Sequence, residues 1–515
     1  RPATSTSQEG LPSRSDSELS GEVEELASLK AAVVDIISTM QPVDPGVVRS
    51  IPAHRALSCC GRAFRGRAGL LHEETVAASK FDEFWSHSWH GSAWLQYITA
   101  MHFKKSFAAA VAGTLCAVMA CALIAAGLWP FGGLGLRSAQ QWGTLFGALG
   151  YYTAFLFWRP QDQVFLDSVC IDSRNSTLKA KAILSIGTML KQSDRLLVLL
   201  DPSWVTRLWC VFELAAYLHT CEKEGRHPHI SVQPTYLGLV HLLGHAGFCC
   251  ILSFATSVSA RDSNLWLLIL PCFLAAGHAA RLGLRRFDYM QQQLAKFSIR
   301  ESSSCCCERQ HQWKGATLIC DREIILDCIG IWFGGVAQFE HNVRTQVHGL
   351  LVQQLLDPLC LLRFTVLALS PLMWTTLGHV AHLSRTSSWD HVLGIALHEL
   401  CLVFLELPLL VVWTLVVAYL LRAQGCSWFV DGLCTITLVA LGGGSFVGVE
   451  MLRLSLLGWA ESLGWSTLSS VIPVLAILLP LALICMQVPR WTCRRMRLPP
   501  TPCTDEQRDD PHVEI

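Results

Sequence analysis

The chain has 515 residues, 51% hydrophobic and 16% charged, with no net formal charge. Soluble domains carry about 25% charged residues, so lipid is the expected solvent for part of this chain, and a neutral balance argues against a nucleic-acid partner held by bulk charge. The 22 cysteines include no CxxC pair and keep no regular spacing, which argues against a zinc site or a disulfide framework.

In chain order, residues 1–18 are rich in Ser, Thr and Pro and read as disordered. Over 19–40, Val23, Leu26, Leu29, Val33 and Ile36 or Ile37 recur at helical spacing. Residues 1–80 are therefore read as a disordered, partly helical tail, with a basic patch at Arg62, Arg65 and Arg67. The folded core is expected from Phe81 onward. Eight apolar stretches then have the length of membrane spans: 107–129, 142–158, 237–260, 264–281, 359–381, 393–421, 429–449 and 468–488. The first two form a hairpin, 107–158, inserted in a soluble region of 81–236. A second hairpin occupies 237–284. An amphipathic cytosolic segment, 285–358, broken at Gly334 and Gly335, reads either as a coupling linker or as a helical layer on a sheet. A four-span bundle, 359–488, and a basic, then disordered tail, 489–515, complete the chain.

Basic residues mark alternate span ends: Lys104 and Lys105, Arg159, Arg281, Arg285 and Arg286, Arg422, and Arg490, Arg494, Arg495 and Arg497. The other loops hold Arg137, Arg261, Arg385 and Arg453. The positive-inside rule then puts both termini and both soluble regions in the cytoplasm of a multi-pass integral membrane protein. It does not specify which membrane.

The soluble region carries the chemistry. An apolar run at 195–200 reads as a buried strand, and Asp201, Pro202 and Ser203 as a turn. A helix follows, 207–218, in which Glu213 stands among Trp209, Cys210, Phe212 and Leu214. Thr206 is the expected N-cap. Ile183, Leu184, Ile186, Met189 and Leu190 suit a helix on a sheet, and 229–233 a last strand.

Three pieces in order, 81–88 with Asp82, Phe84 and Ser86, then 165–172 ending in an acidic turn, then 209–214 with Trp209, Cys210 and Glu213, together resemble the Toll/interleukin-1 receptor (TIR) domain. The likeness is to the TIR-like modules of multi-pass membrane proteins in protists, and it covers roughly a quarter of the chain. It implies a flavodoxin-like α/β module with a parallel sheet, here interrupted by a membrane hairpin. It also implies homotypic or heterotypic TIR-type protein contacts in membrane-held signalling. In enzymatic members the Glu of this motif cleaves NAD+ at the nicotinamide–ribose bond. Glu213 matches it, with Ser86, Trp89 and Trp209 as pocket-lining candidates; NAD+ would be a substrate, and no cofactor is otherwise implied. Without the family, Glu213 reads as a surface or Arg-paired carboxylate in a helix that holds the fold.

Glu399 and Glu406 lie seven apart in the sixth stretch. Ionisable groups at membrane depth are costly, so a transporter or channel is a third reading. The alternative is that Glu406 pairs inside the bundle with Arg363 or His379. Gly442, Gly443, Gly444 and Gly448 are expected at a close helix–helix contact. Cys305, Cys306 and Cys307 are either palmitoylated or plain cytosolic thiols.

Overall fold

The computed structural model describes residues 16–65, 71–129, 136–172, 174–257, 265–304, 307, 312–313, 316–317, 320–350, 358–423 and 427–480. Cys305, Cys306 and the C-terminal tail lie outside these. The chain divides into two compact units. The first comprises 1–105, 158–239 and 296–347; the second comprises 106–157, 240–295 and 348–515.

The first unit is built on a six-stranded sheet. Its strands are β1 (Arg49–Pro52), β2 (Val76–Ala77), β3 (Phe81–His87), β4 (Gln163–Phe165), β5 (Ser193–Leu200) and β6 (Ile230–Pro234), in the spatial order β2-β1-β4-β3-β5-β6. β3 pairs in parallel with β4 and β5, and β5 with β6. Strands buried on both faces need no polar alternation. Accordingly, Leu196, Leu197, Val198, Leu199 and Leu200 are all buried. Phe84 stacks on Phe165 at 4.9 Å between ring centres.

Part of the stretch read as a disordered, partly helical tail belongs to the sheet. β1 runs antiparallel to β4, setting Ile51 opposite Val164, and β2 pairs with β1. Strands this short, one of them containing Pro52, carry little local signal; their partner β4 lies far along the chain. The helix Asp16–Thr39 matches the periodicity read in the sequence and buries Val34 and Ile37. It packs against Asp321–Phe333, where Lys30 pairs with Glu323 at 2.9 Å and Asp327 at 3.0 Å.

Asp321–Phe333 ends at Gly334, whose φ of 71° suits a residue without Cβ. This helix is a layer of the first unit, with Trp332 meeting Phe212 at 5.6 Å and stacking on His219 at 5.4 Å between centres.

The second unit is helical. Five described helices are long and apolar enough to cross a membrane: Ala93–Ala125, Leu237–Phe254, Arg363–Thr386, Trp389–Leu420 and Trp428–Ser462. Ala93–Ala125 begins in the first unit. Leu115, Met119, Leu243, Leu433, Ile436 and Met451 point outward, and lipid is the solvent such faces fit. Three of the eight expected spans are not among the five. Leu136–Phe157 opens with a polar turn, Arg137, Ser138, Gln140 and Gln141. Leu265–Ala295 runs into Arg281, Arg285 and Arg286. The last is described only as the short apolar helix Val471–Pro480.

Glycine faces hold part of this unit together. A Cβ at Gly147 would lie 2.2 Å from Trp374 Cδ2, and one at Gly378 would lie 2.4 Å from the Ala139 carbonyl. Leu136–Phe157 and Pro358–Thr386 therefore approach closely. The expected glycine contact at 442–448 reduces to Gly442 against Thr414; among the described residues, Gly443, Gly444 and Gly448 have no neighbour within 4 Å of an added Cβ. A fully buried Arg281 ties three helices. Its Nε donates to the Leu421 carbonyl at 2.8 Å, its Nη1 to the Asp431 carbonyl at 2.7 Å, and its Nη2 to Asp431 Oδ1 at 2.8 Å. A buried charge persists only with such saturation.

Candidate functional site

The Trp–Cys–Glu helix, Leu208–Lys223, starts one step later than expected. Thr206 Oγ1 donates to the Ser203 carbonyl at 2.9 Å, and Arg207 occupies the N-cap without a side-chain capping bond, its Nη1 donating to Ser303 Oγ at 3.2 Å. The entry is set instead by Ser303, whose carbonyl accepts from Leu208 N at 3.1 Å. Glu213 therefore lies in the second turn, beyond the reach of dipole stabilisation.

Helical spacing places Cys210, Glu213 and Tyr217 on one face, and all three touch the sheet. Cys210 Sγ donates to the His87 carbonyl at 3.5 Å, and Tyr217 Oη to the Asp194 carbonyl at 3.0 Å. Between them, Ser86 Oγ donates to Glu213 Oε2 at 2.5 Å and accepts from Trp204 Nε1 at 3.0 Å. Ser86, Glu213 and Trp204 are all buried. Burial, then the Asp167 carboxylate, push the Glu213 carboxyl well above the usual carboxylate range, against the opposing pull of the Ser86 hydroxyl. Burial likewise pushes the Cys210 thiol up.

Around this pair the carboxyl ends of three parallel strands converge. Asp167, just past β4, accepts from Trp89 Nε1 at 2.9 Å and lies 3.7 Å from His87 Nδ1. Asp201, at the end of β5, accepts from Ser203 N at 2.8 Å and Ser203 Oγ at 2.5 Å. Ser203 Oγ in turn meets Ser88 Oγ at 2.7 Å, and Gln96 Nε2 donates to the Ser88 carbonyl at 2.7 Å. Parallel α/β sheets hold their ligands at this end. A carboxyl whose ionisation is disfavoured by burial and by a second carboxylate, and which sits beside a hydroxyl, is suited to holding a proton and donating it.

Of the residues picked from the sequence, Ser86 touches Glu213 directly, and Trp89 reaches the cluster through Asp167. Trp89 remains 57% exposed, so it stands at the rim. Trp209 is half-buried and meets Phe212 edge-on at 5.4 Å. Asp201 and Ser203 were read only as part of a turn, and Trp204 and His87 were not singled out. Their signal is position alone, at or just beyond strand ends.

In the second unit, Glu399 accepts or shares a proton with His379 Nδ1 at 3.2 Å. Glu406 is 1% exposed, and neither of its oxygens has a hydrogen-bond partner among the described residues. Its partner is neither Arg363, which stands over the Phe107 ring, nor His379. Arg453 Nε approaches to 3.9 Å instead.

No protein-family model, no curated protein and no solved structure matches the chain.

Proposed function

We propose that this chain is a multi-pass integral membrane protein whose sheet-bearing unit is a TIR-like module acting through contacts with other proteins. The observation that carries the reading is the 2.5 Å bond from Ser86 to Glu213, which joins the Asp–Phe–Ser strand to the Trp–Cys–Glu helix although two long helices intervene in sequence. The parallel strands β3, β4, β5 and β6 stand in the order 2-1-3-4, the flavodoxin-like order, and support the same reading. By the alternation of basic residues, this unit and both termini are cytoplasmic.

Contact is favoured over catalysis by the state of Glu213. An oxocarbenium-like sugar needs negative charge beside it, whereas burial disfavours the ionised form of this carboxyl and Ser86, itself bonded by Trp204, occupies one of its oxygens. Trp89 and Trp94, 57% and 50% exposed, offer the aromatic surface that protein contacts favour. Chemical cross-linking of the detergent-purified chain over a concentration series tests this. Cross-linked dimers that weaken in Trp94→Ala are expected; a monomer at every concentration would remove self-association. A second reading, NAD+ glycohydrolase, rests on the Ser86–Glu213 bond at the carboxyl ends of the strands, with Asp167 near enough for its charge to act on Glu213. Nicotinamide released from NAD+ and lost in Glu213→Gln would make that reading the primary one.

A further inference from the structure

The sixth apolar helix changes pitch in its middle. Trp389–Cys401 and Leu407–Leu420 are joined by a π-turn, Leu402–Glu406. Pro408 follows at once; it has no N–H for the carbonyl four residues back, that of Phe404. Such turns inside α-helices concentrate at functional positions. Glu406 closes this one, buried and without a hydrogen-bond donor to either oxygen among the described residues. Arg453, 3.9 Å away, is committed elsewhere: its Nε and Nη2 donate to Glu450 Oε2 at 3.0 and 2.7 Å. One guanidinium thus stands between two carboxyl groups and is bound to one of them.

An ionised carboxylate without donors is costly in such surroundings, and a neutral acid far less so. The surroundings also fit a proton better than a metal ion. Among the described residues no three His, Cys, Asp or Glu side chains are grouped to hold a metal, whereas a proton needs a single oxygen. We propose that Glu406 is a proton-binding group, and that loss of its proton draws Arg453 from Glu450 to Glu406. In that step the Glu406 O–H bond breaks, the electron pair stays on the carboxylate and the proton passes to water. Arg453 keeps its charge, and Glu450 becomes the unpaired carboxylate. The other titratable groups nearby are Glu399, held by His379, Cys401 one turn back on the same helix, and His398, whose Nε2 meets Ser470 Oγ at 3.1 Å. This proposal is independent of the TIR-like reading.

Infrared difference spectra of the whole chain in phosphatidylcholine vesicles, titrated with acid and base, test it. The wild type is expected to show the C=O band of a water-shielded carboxylic acid that disappears as pH rises; Glu406→Gln should lack it. Glu450→Gln frees Arg453 for Glu406 and should move the midpoint to lower pH, and Arg453→Gln to higher pH, each by about one unit or more. A titrating band that survives Glu406→Gln overturns the proposal. So does a midpoint unmoved in both Glu450→Gln and Arg453→Gln.

Discussion

Because burial and Asp167 hold Glu213 above the ordinary carboxylate range, the stability of the first unit depends on pH in a definite direction. Below the unfolded value, near 4.5, folded and unfolded states both carry the proton, and the stability is complete. As pH rises from there the unfolded chain releases its proton while the folded one keeps it, so stability declines until the folded carboxyl ionises too. Each pH unit inside that window removes up to about 1.4 kcal/mol. Glu213→Gln keeps an oxygen to accept from Ser86 and has no proton to lose. Its thermal midpoint, followed by tryptophan fluorescence, is expected to fall less than that of the wild type between about pH 5 and pH 8. Equal slopes in the two proteins would refute the linkage.

Two glycines separate packing from exposure at the level of the helices. Gly147→Ala places a methyl 2.2 Å from the Trp374 ring, and overpacking of this kind costs about 1–3 kcal/mol. Among the described residues nothing lies within 4 Å of a Cβ added at Gly444, so Gly444→Ala should stay within about 0.5 kcal/mol of the wild type. Thermal unfolding in detergent measures both, and a Gly147→Ala protein as stable as Gly444→Ala would contradict the close contact. The same pair shows what sequence conveys at this scale. Small residues four apart occur at Gly143 and Gly147 as well as at Gly444 and Gly448, and spacing reports the capacity for approach without naming a partner. Local patterns served well where the cause is local. The apolar run of β5, the periodicity of Asp16–Thr39 and the break at Gly334 were all legible. They failed where a distant segment decides: β1 needs β4, and the start of the Glu213 helix is set by Ser303. The pairing of Ser86 with Glu213 was legible only as motif order; the turn of Asp201, Pro202 and Ser203 was legible, but not the bond that Trp204, next in the chain, makes to Ser86.

At the scale of the molecule, the first unit draws on three separated stretches and is closed around the junction between the first two. Where the chain leaves and returns, Lys104 Nζ meets Asp162 Oδ2 at 2.8 Å and Glu83 Oε1 at 3.0 Å, and the Pro160 carbonyl accepts from His54 N at 3.1 Å. Replacing 106–157 by a short Gly/Ser linker is therefore expected to leave the sheet intact, since loop closure depends only weakly on length. Amide exchange at 84–87 and 196–199 should remain as slow as in the intact chain; rapid exchange there would show that the insert is needed for the sheet. This interrupted pairing has a consequence for biosynthesis. β3 leaves the ribosome about 110 residues ahead of β5, a wait on the order of ten seconds at ordinary elongation rates. Throughout that interval it offers an unmatched row of amides and carbonyls, flanked by Phe81, Phe84 and Trp85, to any other nascent strand. Translation speed across 106–157, and whatever shelters β3 meanwhile, should then govern how much of the product escapes aggregation.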